Sequence, residues 1–102
     1  MRRAELLDLI AAFEPNDEDW RALDVLLASL WDAGVTPGSL PVLFGIFERY
    51  PEDDGAGVLW GIVHGVEALD MPYEEPLRAS IARKSSLMGR IMLERLERAN
   101  AV

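Results

Sequence analysis

Residues 50–67 read Tyr50-Pro51-Glu52-Asp53-Asp54-Gly55-Ala56-Gly57-Val58-Leu59-Trp60-Gly61-Ile62-Val63-His64-Gly65-Val66-Glu67, and they decide the fold. From Gly55 to Val66 the chain is apolar apart from His64, a run of 12 residues. A bilayer-spanning helix needs roughly 20 such residues, so this run belongs to a packed helix and not to a membrane. Gly57, Gly61 and Gly65 recur every four residues, which sets them on one helix face. Each glycine inside a helix costs about 0.5–1 kcal/mol relative to alanine. Close approach of another backbone is the physical reason to accept that cost, whether from a helix of the same fold or from a partner helix lying in the groove. Trp60, His64 and Glu67 stand at i, i+4 and i+7 on an adjoining stripe, where Glu67 is placed to accept a hydrogen bond from the imidazole.

Helical periodicity continues on both sides, and no stretch alternates as a strand would. Upstream, Leu6, Leu7, Ile10 and Phe13 predict a helix over 2–13, which Glu14-Pro15-Asn16 breaks. Asp17 is the expected N-cap of a second helix running to Asp32 or Ala33, with Glu18 and Asp19 in its first turn, where the dipole favours acids. Gly34 suits its C-cap. Ser39 is the expected N-cap of a third helix that carries Leu40, Leu43, Phe44 and Phe47 and stops near Tyr50-Pro51. The fourth spans about 57–69, the fifth about 73–84 with Pro76 in its first turn, and the sixth about 86–99. Six helices joined by short loops predict an all-α domain over 1–102, a bundle or short stack of antiparallel hairpins. No repeat of fixed period is visible.

Among 102 residues, 18 are acidic and 10 basic, a formal charge of -8, and half are hydrophobic. That is a globular composition, and its acidity argues against nucleic acid or an anionic membrane as a ligand. Met1-Arg2-Arg3 leads directly to Glu5 and Asp8 without the apolar core of a signal peptide, so a cytoplasmic protein is expected. The charge is uneven. From Ala4 to Leu77 there are 16 acidic residues against Arg21 and Arg49; from Arg78 onward six basic residues face only Glu94 and Glu97. The densest acidic points are Asp17-Glu18-Asp19 and Glu52-Asp53-Asp54. Such charge either solvates outer helix faces or prepares a surface for a basic partner. The arginine-rich C-terminal helix would pair with its own Glu94 and Glu97, or dock across the acidic body.

Chemistry-bearing motifs are few. Without cysteine the chain has no disulfide, thiolate metal site or thiol catalysis. His64 with Glu67 falls short of a metal ligand set, and none of the serines sits in a nucleophile motif. Glu52-Asp53-Asp54-Gly55 lacks the alternating ligands of a calcium loop, and Gly55-Ala56-Gly57 follows no strand, so it is not a dinucleotide fingerprint. Neither cofactor nor metal is expected. Met88 and Met92, beside Leu87 and Ile91, read as core.

The segment Phe47-Glu48-Arg49-Tyr50-Pro51-Glu52-Asp53-Asp54-Gly55, with Val58-Leu59-Trp60 and Val63-His64-Gly65-Val66-Glu67, resembles small bacterial immunity proteins of polymorphic toxin and contact-dependent inhibition systems. Tyr73-Glu74-Glu75-Pro76-Leu77, Ser80-Ile81 and Arg83-Lys84 fit the same pattern, so the resemblance covers about 44–92. It implies a cytoplasmic protein without catalysis that neutralises a cognate toxin domain by binding it. An acidic face would occupy the site where a basic toxin holds phosphate and would speed association. Glu48, Tyr50, Glu52, Asp53, Asp54, Trp60, His64 and Glu67 are the expected contacts, with Tyr50 and Trp60 as aromatic anchors. Two other readings stand beside this one: a helical adaptor or regulator of a cellular partner, and an enzyme using His64 with Glu67, which requires an exposed imidazole in a cleft.

Overall fold

A computed structural model describes residues 1–101. Six α-helices make up the fold: α1 (Arg3–Ala11), α2 (Arg21–Ala33), α3 (Leu40–Arg49), α4 (Val58–Glu67), α5 (Glu74–Arg83) and α6 (Leu87–Asn100). Two short 3-10 turns, Pro37–Ser39 and Gly55–Gly57, lead into α3 and α4. The all-α bundle expected from periodicity is the observed architecture. Among the described residues, no helix is long and apolar enough to cross a membrane.

The core forms around α3, whose Leu40, Leu43, Phe44, Ile46 and Phe47 are all buried. A helix apolar on nearly every side must be surrounded, and α3 packs against α1, α5 and α6. Its closest associations are therefore with α1 and α5, and not with its sequence neighbours as a simple run of hairpins requires. The other helices each offer one stripe: Leu6 and Ile10; Leu23, Leu27 and Leu30; Leu59, Ile62, Val63 and Val66; Leu77; Met88 and Met92. α2 packs chiefly against α1 and also against α4, and α6 closes over α3, α4 and α5.

Arginines close the open ends of two helices. Arg3 donates to the carbonyls of Ala33 and Gly34 at the end of α2. Arg49 donates to Ile10 and Phe13 at the end of α1. Orphan C-terminal carbonyls thereby gain cationic donors that also suit the helix dipole.

Three local expectations need correction. α1 stops at Ala11, with Phe13 held only by a tighter turn onto the Ile10 carbonyl. Asp17 does not cap α2, which starts one turn later at Arg21. Trp20 is the cause: it is 4% exposed, stacked against Phe13 at 5.8 Å and edge-on to Tyr50 at 5.1 Å. Burying that indole fixes where the chain enters, and residues 16–19 form a tight turn to reach it. Ser39 also does not cap α3; its hydroxyl instead accepts from the Thr36 N–H at 3.1 Å across the preceding turn.

Candidate partner-binding surface

The glycine ladder of α4 divides into three different cases. Gly57 precedes the helix at φ 91°, a left-handed position natural to glycine. Gly65 is pressed against Trp31, where a Cβ would sit 2.3 Å from Cζ2. Gly61 is exposed, and a Cβ there would meet nothing within 4 Å. Close internal approach thus explains one of the three.

The eight expected contact residues divide as well. Glu48 turns inward: its carboxylate takes both Nε and Nη2 of Arg83 at 3.0 Å and accepts from the buried Ser80 hydroxyl at 2.8 Å. Burial pushes this carboxyl up, but the hydrogen bonds from Arg83 and Ser80 together outweigh it and hold Glu48 below its ordinary value. Glu67 accepts from Arg95 of α6 at 2.9 Å, so it bridges two helices instead of partnering His64. Tyr50 is half-buried against Trp20, with its hydroxyl donating to the Phe13 carbonyl at 3.4 Å. These three are structural, and the His64–Glu67 pair required for an enzyme is not formed. Glu52 is exposed but faces Arg90 at 3.3 Å.

Asp53, Asp54, Trp60 and His64 remain outward. Asp53 folds its own turn by accepting from the Gly55 N–H at 2.8 Å, while the Asp54 carbonyl receives the N–H groups of Gly57 and Leu59. Half-exposed Trp60 lies against exposed His64 with ring centroids 5.7 Å apart.

The fold brings both acidic triplets close to Trp20. Gly55, which follows the second triplet, lies so close to the indole that a Cβ would stand 3.0 Å from Cε3. A depression of about 560 Å³ is lined by Asn16, Asp17, Glu18, Asp19, Trp20 and Arg21, together with Ala56 and Val58. Asp17, Glu18 and Ala56 all have left-handed backbones (φ 52°, 62° and 53°), and they are the three non-glycine residues with positive φ. Such conformations are costly for L residues and persist where the surrounding structure over-determines them. Within this group Asp19 pairs with Arg21 at 2.7 Å, and that hydrogen bond lowers its pKa to about 2.

Charge pairing then separates the surface into two sides. Every arginine of the chain engages a carboxylate or a helix-end carbonyl. Among the described residues, Asp8, Glu14, Asp17, Glu18, Asp24, Asp32, Asp53, Asp54, Asp70 and Glu75 have no cation within salt-bridge distance, and all are exposed; Asp17, Glu18, Asp24, Asp32, Asp53 and Asp54 lie on or near α2 and the turn before α4. Val25, 66% exposed, stands among them on α2. Asp17, Glu18, Asp24 and Asp32 are additions to the expected contact set. The triplet at 17–19 was visible as acidic sequence that could cap a helix or face a basic partner; the structure shows that it does not cap α2. No group of three or more His, Asp or Glu side chains among the described residues converges as a metal site.

No protein-family model matches the chain, and no curated protein or solved structure is found similar to it.

Proposed function

We propose that this protein is an immunity-type inhibitor that binds a toxin domain with a basic binding surface and neutralises it by occupancy, without catalysis. The observation that supports the reading best is the segregation of charge. Each arginine engages a carboxylate or a helix-end carbonyl, while unpaired carboxylates remain around Asp17-Glu18, α2 and Asp53-Asp54, with Asp8, Glu14, Asp70 and Glu75 unpaired elsewhere. A surface meant only for solubility gains nothing from such separation, because mixed charge serves that purpose. Unpaired carboxylates, with exposed Val25 and half-exposed Trp60 as apolar contacts, suit a partner rich in Lys and Arg, which long-range attraction steers inward.

The test is affinity purification of the tagged protein from its native cell and calorimetric titration against the toxin domain that co-elutes, with growth protection on co-expression as a second readout. Reversing Asp17, Glu18, Asp53 and Asp54 to lysine is expected to weaken binding by about 100-fold, mainly through slower association. Raising salt should erase much of the wild-type advantage. Unchanged affinity in the reversed variant would remove this surface from the proposal, and failure of the wild type to bind or protect would sink the immunity reading.

A further inference from the structure

Between α2 and α4 runs a groove of about 230 Å³ lined by Asp24, Leu27, Ala28, Trp31, Gly61 and Gly65. Its glycines are not equivalent. Gly65 gives its missing Cβ to Trp31, whereas Gly61 faces open space in regular helix. Alanine at 61 would hold α4 better without touching anything in the fold. Something outside the fold therefore accounts for glycine at that position, and a backbone approaching α4 closer than a methyl group permits would do so.

Charge indicates what kind of chain that is. Asp24 lines the groove, and Asp32 lies eight residues further along α2, turned about 80° from it; both are exposed and without a cation among the described residues. Before the N-terminal end of α2, Asp17 and Glu18 line a separate depression. Both groove walls are helices whose backbone groups are already bonded internally, so no strand can add to them. An incoming helix meets the groove through side chains alone.

We infer that the α2–α4 groove seats a helix of the toxin domain, apolar toward Ala28, Gly61 and Trp31 and carrying Lys or Arg along the edge that faces Asp24 and Asp32. This rests on the proposed function and narrows its contact surface.

The probe is a synthetic amphipathic helix of Leu, Ala and Lys, compared with the same peptide carrying Glu in place of Lys. Each is titrated into wild type, Gly61→Leu and the Asp24→Lys/Asp32→Lys double variant, with calorimetric affinity and the Trp31 indole N–H resonance as readouts. Expected are binding of the Lys peptide alone, a shift of the Trp31 signal, and at least about ten-fold weaker binding in each variant. Gly61→Leu should meanwhile melt higher than wild type, so its loss of binding cannot come from unfolding. Weakening by the charge reversals but not by Gly61→Leu would overturn the groove while leaving the acidic-face reading in place. No binding of the Lys peptide would also overturn the groove; calorimetry with the toxin domain then judges the proposed function separately. A wild-type dimer dissolved by Gly61→Leu would assign the groove to a second copy and overturn the inference.

Discussion

The carboxylates of α3 and α4 and those around the start of α2 arise in equally acidic sequence, yet they do opposite things. Glu48, Glu52 and Glu67 each receive an arginine from the α5–α6 hairpin: Arg83, Arg90 and Arg95. Asp17, Glu18, Asp53 and Asp54 receive none. One side is a seam that fastens the hairpin to the bundle; the other is a surface with its field directed outward. Net charge alone is therefore a poor guide to function in such a chain, because the C-terminal arginines neutralise a chosen subset of acids and leave a coherent remainder.

The contrast breaks most visibly at Glu48. Glu48→Ala strands the buried Ser80 hydroxyl and the Arg83 guanidinium together, and a loss of about 2–3 kcal/mol is expected in urea denaturation. Glu67→Ala removes a more solvated bridge to Arg95 and should cost about 1 kcal/mol or less. Neutralising the other side with Asp17→Asn, Glu18→Gln, Asp53→Asn and Asp54→Asn should leave stability within about 0.5 kcal/mol of wild type, the sign favouring the variant as like charges are removed. A large loss there would mean these acids belong to the seam after all.

Acid titration sharpens the same contrast. Because the folded Glu48 pKa lies below its ordinary value of 4.5, its contribution is complete above that value and is lost as pH falls through the lowered one. Stability of the wild type should decline across that window, and Glu48→Gln should flatten the decline; equal slopes would rule the linkage out. The smallest effect belongs to the depression. Ala56→Gly relieves a left-handed alanine at φ 53°, and a gain of a few tenths up to about 1 kcal/mol is expected by thermal melting.

Helix number and the apolar stripes were legible in the sequence because a 3.6-residue period is written locally. Element starts were less so. Asp17-Glu18-Asp19 has the composition of a helix N-terminus, and only the burial of Trp20 between Phe13 and Tyr50, a tertiary fact, moves the start to Arg21. The candidate site was half legible for the same reason. Asp53, Asp54, Trp60 and His64 are outward as read. Glu48 and Glu67 were removed by arginines 35 and 28 residues downstream, whose register no local pattern reveals.

The Leu87 N–H donates to the Pro51 carbonyl at 2.6 Å, and Arg90 reaches Glu52 across 38 residues of chain. The acidic turn is thus braced from behind by a helix that leaves the ribosome well after it. A nascent chain displaying α1 to α4 would hold the carboxylates of 52–54 without that frame, which is complete only once α6 has docked.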